Sequence, residues 1–215
     1  MSNRSYLCVS TYPSIYPAFA KSDYDPKLNT VAADVNCVPL LWLAMFRAAD
    51  LRTETFEVTE GRHTEKVVAT APVAPVERAL TQLDAAVPVL ERLFGEPLAA
   101  YAALLGAGVR AGEGDHVTIE LEEIAVLEGD EEGYYDKLRL ALASLDGSGD
   151  ATADRDRLAD LAQLGPARPF PPARLLLDDM DATDDDYWNH CRLIGASHLR
   201  PVPWETESAG RPGRA

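Results

Sequence analysis

The chain of 215 residues lacks any apolar run long enough to cross a bilayer. Its longest run, Val38–Phe46, has nine residues, whereas a membrane-spanning helix needs roughly 20. No signal-peptide pattern opens the sequence, because Met1–Ser5 leads straight into a strand-like segment. These absences predict a cytoplasmic protein without a membrane partner.

The sequence is also poor in cysteine and in paired metal ligands. Three cysteines without a Cys-x-x-Cys pair exclude a disulfide scaffold and a zinc ribbon, and they favour a reducing compartment. Four histidines without a His-x-x-x-His pair exclude the usual zinc-hydrolase motif. The phosphate-binding glycine patterns and the Gly-x-Ser-x-Gly nucleophile pattern are missing too. We therefore expect no cofactor other than a divalent metal ion.

Lysine is scarce, and negative charge dominates. Sixteen arginines accompany only four lysines, which with abundant alanine is typical of a GC-rich bacterial genome. The net charge is -15, and residues 113–215 hold 23 acids against 10 bases. Such a field repels nucleic acid and attracts basic proteins or cations. The alternative is that the charge serves solubility alone.

The apolar periodicity predicts strands and helices without a regular β-α-β alternation. Strands are expected at Arg4–Ser10, Thr53–Thr59, Thr64–Ala71, His116–Val126 and Arg174–Leu177. Helices are expected at Asn36–Ala49, Val76–Phe94, Leu98–Leu105, in the segment after residues 128–132, at Asp154–Leu164 and at Thr183–Ile194. This pattern predicts an α+β fold, in which an antiparallel sheet of about five strands in mixed order is covered by helices.

The connecting segments do not indicate a division into separate domains. Residues 1–205 are expected to form a single domain, with a sub-boundary near 147–152, a proline-rich connector at 166–172 and a flexible tail at 206–215. Glycines 106, 108, 112 and 114 suggest a flexible connection. Residues 11–34 are predicted to form one long loop, since Tyr-Pro pairs favour extended backbone. Its Tyr12 and Tyr16, together with Trp204, are candidate partner or ligand contacts, or else anchors to the core.

Six aspartates between residues 178 and 186 form the densest group of potential ligands. Asp178, Asp179 and Asp181 follow an apolar run, and with His190 from the next helix they could converge on a divalent metal. Three others follow Thr183 and are explained as the acidic first turn of that helix: Asp184, Asp185 and Asp186. The first three are equally compatible with a turn or a charged surface.

Both ends of the chain resemble a known pattern. The segment Asn3–Leu7 reads Asn-Arg-Ser-Tyr-Leu, which resembles the start of an uncharacterised family of bacterial proteins. The closing segment Val202–Glu205 is similar to the same pattern. That family has no established activity, so the resemblance implies only a small bacterial cytoplasmic protein and assigns no functional residue.

Two hypotheses from different classes remain. The first is a non-enzymatic acidic interaction protein, an inhibitor or immunity-type binder of a basic partner, favoured by the charge and the missing catalytic motifs. The second is a small, metal-assisted enzyme that uses the Asp178, Asp179, Asp181 and His190 group, with the Tyr12–Tyr16 loop over its substrate. The sequence leaves open whether the chain is an enzyme.

Overall fold

The computed structural model describes residues 4–15, 28–60, 63–164 and 193–195, and these form an α+β fold. The strands are β1 (Arg4–Ser10), β2 (Leu28–Val35), β3 (Leu51–Glu60), β4 (His63–Pro75) and β5 (His116–Glu120). The helices are α1 (Leu40–Leu43), α2 (Val76–Phe94), α3 (Ala99–Ala111), α4 (Glu122–Leu127), α5 (Glu131–Ser144) and α6 (Ala151–Leu161).

The five strands form one sheet in the order β2-β1-β5-β4-β3, and every neighbouring pair is antiparallel. The predicted α+β class with an antiparallel sheet is therefore confirmed. One face of the sheet packs against the main core through Leu7, Val9, Val117 and Ile119, all without exposed surface. No helix in the described ranges is long and apolar enough to cross a membrane.

The prediction of one long loop over residues 11–34 is wrong at its end, because β2 begins at Leu28. This strand pairs along β1 from Arg4↔Val35 to Ser10↔Leu28, with a register shift between Leu7 and Cys8. Alanine and aspartate are poor strand formers, so local propensity does not predict a strand here. The strand forms because it pairs with β1. Tyr16, the second candidate contact in this loop, lies outside the described residues.

The helix predicted at Asn36–Ala49 is also wrong in extent. Asn36 has a positive φ of 59°, and only Leu40–Leu43 forms an α-helix, followed by a 3₁₀ turn at Ala48–Asp50. All residues from Leu40 to Phe46 are fully buried. Their continuous apolarity reflects burial on every side, which periodicity alone cannot assign to a helix.

The central hairpin is confirmed and is longer than predicted, since β3 and β4 pair from Leu51↔Pro72 to Glu60↔His63. Adjacent strand residues point to opposite faces of the sheet, so Val67 and Val68 lie on different faces. Phe56 and Val67 are partly buried, whereas Val68 is 61% exposed.

Helix α2 follows its predicted bounds. Pro75 stands at the N-cap, where a missing N–H costs nothing, and Gly95 ends the helix with a left-handed φ of 75°. Helix α3 instead runs through two of the glycines predicted to form a connection. A Cβ at Gly108 would lie 3.4 Å from Val31 Cγ1, an ordinary van der Waals distance, so the helix passes through this glycine without requiring it.

The strand predicted at His116–Val126 ends early. β5 stops at Glu120, and α4 begins at Glu122. Helices α5 and α6 begin at N-caps, where Asp130 accepts from the Gly133 N–H at 3.0 Å and Asp150 from the Ala153 N–H at 2.9 Å. Helix α6 therefore starts three residues before the predicted Asp154.

The second face of the sheet is buried too. Cys8 and Val73 have no exposed surface there, and Ile15 packs with Ala71 and Val73. On the first face, Trp42 donates its Nε1–H to the Ile194 carbonyl at 2.8 Å, which fixes residues 193–195 against the main core. Because both faces are covered, polar side chains of the central strands are shielded from water. This burial shifts the pKa of some of them.

Candidate functional site

Of the residues predicted to form a site, Tyr12 alone lies in the described part of the chain. Its side chain is 38% exposed, just after β1. The partner residues Tyr16 and Trp204 lie outside the described ranges, as do all four predicted metal ligands: Asp178, Asp179, Asp181 and His190. Among the residues that are described, no group of three or more potential ligands could hold a metal ion. The predicted metal site therefore stays a prediction.

The segment that carries Tyr12 is fastened to the hairpin. The Pro13 carbonyl accepts a hydrogen bond from the Arg52 guanidinium at 2.9 Å, and the Ser14 hydroxyl donates to the Glu54 carboxylate. Ile15 is buried beyond them. Tyr12 consequently stands at the start of an anchored segment. This position is compatible with either predicted role, an anchor to the core or a contact with a partner or ligand.

A strongly acidic surface covers α4, α5, α6 and their connections, within residues 122–160. We call it the acidic surface. Eleven acidic side chains are exposed there: Glu122, Glu123, Glu128, Asp130, Glu131, Glu132, Asp136, Asp146, Asp150, Asp156 and Asp160. The same range holds only four bases: Lys137, Arg139, Arg155 and Arg157. The exposed acids therefore exceed the bases by seven charges.

The bases on the acidic surface are engaged by acids close to them in sequence. Lys137 Nζ lies 3.2 Å from Glu128, Arg139 lies 2.5 Å from Asp136, and Arg157 lies 2.9 Å from the buried Asp154. The two pairs that are exposed on both sides, Lys137 with Glu128 and Arg139 with Asp136, are worth little to stability, about 0–1 kcal/mol each. They do neutralise the local bases, so the remaining acids set the sign of the field.

Three large apolar side chains are exposed within the acidic surface. Val126 and Leu127 end α4 with 57% and 53% exposure, and Leu140 on α5 has 56%. Single exposed apolar residues are ordinary. Apolar side chains with a polar rim are also a common composition of protein–protein interfaces.

A second group of chemical interest lies on the covered face of the sheet. Glu120 of β5 stands opposite Tyr6, and Thr118 stands opposite Cys8. Burial, then the neighbouring Glu122 and Glu123, raise the pKa of Glu120 to about 7. The Glu120 carboxyl can therefore take up and release a proton near neutral pH.

The Cys8 thiol on the same face is fully buried. Burial and the Glu120 charge raise the pKa of Cys8 well above its usual value, although a contact of 3.8 Å with the Thr30 hydroxyl opposes this. A thiol held in its protonated form reacts slowly. Its complete burial is typical of a cysteine that packs as a small hydrophobic side chain.

A third polar group lies on the opposite, helix-covered face. The Ser5 hydroxyl donates to the Cys37 carbonyl at 2.6 Å, and the Cys37 Sγ lies 3.5 Å from Asp34. Burial raises the pKa of Tyr134, which is 3% exposed, and its hydroxyl has no hydrogen-bond partner within the described part of the chain. Tyr134 contacts Tyr135 edge to face at 5.5 Å, which suits a structural role.

Sequence reasoning missed Glu120, because alternation along β5 places it with Thr118 on what looks like a solvent face. The available signal lay in β1, where the consecutive apolar residues Leu7, Cys8 and Val9 indicate a strand buried on both faces. The acidic surface was anticipated only as a charge excess after residue 113. Comparisons with protein-family models, with curated proteins and with solved structures find no match. Function therefore has to be inferred from these surfaces and their chemistry.

Proposed function

We propose that this protein is a non-enzymatic interaction protein of the bacterial cytoplasm that binds a basic protein through its acidic surface, as an inhibitor or immunity-type protein does. The observation that supports this most directly is the seven-charge excess of exposed acids around Val126, Leu127 and Leu140. Neither the buried Cys8 thiol nor the Glu120 carboxyl gives the described residues a complete catalytic group.

The charges and the apolar side chains have different tasks in this proposal. A field of one sign speeds the encounter with a basic partner, and salt weakens it because the Debye length falls from about 10 Å at 0.1 M to about 3 Å at 1 M. The exposed apolar side chains Val126, Leu127 and Leu140 then lose water in the complex and slow dissociation. The charges set the association rate, and the apolar side chains set the lifetime.

The test begins with a partner captured on the immobilised protein from a lysate and identified by mass spectrometry. We expect a basic protein whose affinity falls steeply as salt rises. An affinity that does not change with salt, or an acidic partner, contradicts the proposal.

A matched pair of variants then locates the contact. Leu140 and Val68 are both more than half exposed, but Val68 lies on the hairpin, away from the acidic surface. We expect Leu140→Ser to speed dissociation several-fold and Val68→Ser to leave it unchanged, as measured by surface plasmon resonance. Equal effects of the two variants would place the contact elsewhere.

A further inference from the structure

Three polar side chains meet where β1 ends and β5 begins. The register sets Ser10, the last residue of β1, directly opposite His116, the first residue of β5. Side chains of such a pair lie on one face of the sheet, with Cβ atoms about 4.5–5.5 Å apart. The Asp115 N–H also donates to the Ser10 carbonyl at 3.1 Å. Two consecutive residues therefore face Ser10, as in a β-bulge, a feature that re-aims side chains and is over-represented next to active sites.

The Asp115 carboxylate fixes the histidine ring. Its Oδ1 lies 2.8 Å from His116 Nδ1, and this hydrogen bond lowers the pKa of Asp115 below its usual value. An ionised carboxylate only accepts hydrogen bonds, so Nδ1 is the donor, and the Nε2 of the neutral ring keeps its lone pair. His116 is thus held in the tautomer that can take a proton at Nε2, the arrangement of the histidine in a serine–histidine–aspartate triad.

The Ser10 hydroxyl is positioned opposite that base. Its oxygen accepts from the Tyr12 N–H at 2.9 Å, while its hydrogen has no acceptor within the described ranges. The residue is only 2% exposed. No hydrogen bond joins these two described side chains, Ser10 and His116; in enzymes such bonds often tighten only when the substrate binds.

We infer that Ser10 is an acylation site, at which His116 acts as general base and Ser10 takes the acyl group of a small uncharged ester. The Ser10 oxygen attacks the ester carbonyl carbon, and the hydroxyl proton passes to His116 Nε2. The bond from that carbon to the leaving oxygen then breaks, and His116 returns the proton to the departing alcohol. The products are an acyl ester on Ser10 and one alcohol. Asp115 is a positioning residue, because it acts only through His116.

The surroundings restrict the acyl donor and the number of turnovers. A net charge of -15 disfavours anionic donors, and a small donor suits the pair because only 19% of the His116 side chain is exposed. Serine hydrolases use a pair of backbone N–H groups to hold the developing oxyanion, whereas the Tyr12 N–H is the one described donor to the Ser10 oxygen. We therefore expect the acyl group to remain on the serine, one per chain.

This chemistry goes beyond the proposed function and is compatible with a non-enzymatic interaction protein, since a stoichiometric modification needs no turnover. Its residues belong to β1 and β5, whereas the acidic surface lies on α4, α5 and α6. A partner that fails to bind leaves the acylation untouched, and an unreactive Ser10 leaves the partner contact untouched.

The test is labelling of the full chain with p-nitrophenyl acetate, followed by peptide mapping in a mass spectrometer. We expect one acetyl group on Ser10. Two other serines are internal controls and should stay unlabelled: Ser148 is exposed in a loop, and the Ser5 hydroxyl on the same strand already donates to the Cys37 carbonyl. A wild type that carries no acetyl group on Ser10, or that is labelled at Ser148 as fast as at Ser10, overturns the inference.

Variants then test the role of each partner. His116→Gln should slow the labelling of Ser10 by roughly a hundredfold or more, the usual contribution of a general base, and added imidazole should restore part of the rate in His116→Ala. Asp115→Asn should slow it, whereas Asp115→Glu should retain most of the rate. Labelling of Ser10 that is as fast in His116→Gln as in the wild type removes the base and overturns the assignment; equal rates in Asp115→Asn and the wild type overturn the positioning role.

Discussion

Glu120 offers a sharp test of how burial changes chemistry in this fold. Its carboxyl lies between β1 and the start of α4, and burial together with Glu122 and Glu123 raises its pKa from 4.5 to about 7. Glutamine has nearly the same shape and does not ionise. Replacing Glu120 by glutamine should therefore remove one pH-dependent contribution to stability and little else.

The sign and size of the effect follow from linkage. The folded-state pKa of Glu120 is raised, so its contribution to stability is fully present below pH 4.5 and is lost as pH rises to about 7. A pKa difference of this size corresponds to about 3 kcal/mol, taken as an upper bound because the partly exposed carboxyl is screened by solvent. Above pH 7, Glu120→Gln should be more stable than the wild type by up to about 3 kcal/mol.

The assay is urea unfolding followed by circular dichroism, from below pH 4.5 to above pH 7, on the wild type, Glu120→Gln and a control. Glu65→Gln serves as the control, since Glu65 is exposed on β4. We expect the free-energy difference for Glu120→Gln to grow with pH and that for Glu65→Gln to stay near zero. A difference that does not vary with pH, or a Glu120→Gln variant less stable than wild type at high pH, refutes the assignment.

Three further predictions concern stability. Trp42→Phe removes the donor to the Ile194 carbonyl and should lower the free energy of unfolding by about 2 kcal/mol in urea, since a buried acceptor loses its partner. Asp150→Ala removes the N-cap of α6 and should lower the free energy of unfolding by about 1 kcal/mol in the same assay. Thr152→Ala, at the second residue of the same helix, should lower it little. The metal-dependent alternative predicts that magnesium, calcium, manganese or zinc raises the melting temperature of the wild type but not of Asp179→Asn in calorimetry; our proposal expects no shift in either.

The elements that the sequence predicts well are those whose local signals are complete. Helix α2 has an apolar period, a proline at its start and Gly95 at its end, so its bounds match. Strand β1 and the hairpin show alternation bounded by turn residues. In each case, local propensity and the final packing favour the same structure.

The parts that were missed depend on distant partners. Strand β2 exists because β1 pairs with it, and the alanines at 32 and 33 give no strand signal of their own. Helix α3 continues through Gly106 and Gly108 despite their low helix propensity, because its buried side chains, among them Tyr101 and Val109, pack in the core. The raised pKa of Glu120 requires cover on both faces of the sheet, which alternation along a single strand does not reveal.

The central claim is that a basic partner binds the acidic surface itself and is not merely attracted by the net charge. Two double variants separate these effects, because each changes the net charge equally. Glu131 and Glu132 lie on the acidic surface, whereas Glu65 and Glu77 are exposed outside it. Glu77 and the first pair all stand in the first turn of a helix, so their effects on helix stability are comparable.

The decisive measurement is the association rate of the captured partner, by stopped-flow fluorescence at low salt. We predict that Glu131→Lys with Glu132→Lys slows association roughly tenfold or more, since local charge governs steering. Glu65→Lys with Glu77→Lys should change the rate far less. Equal losses in the two double variants, or no loss in either, would contradict a contact at the acidic surface.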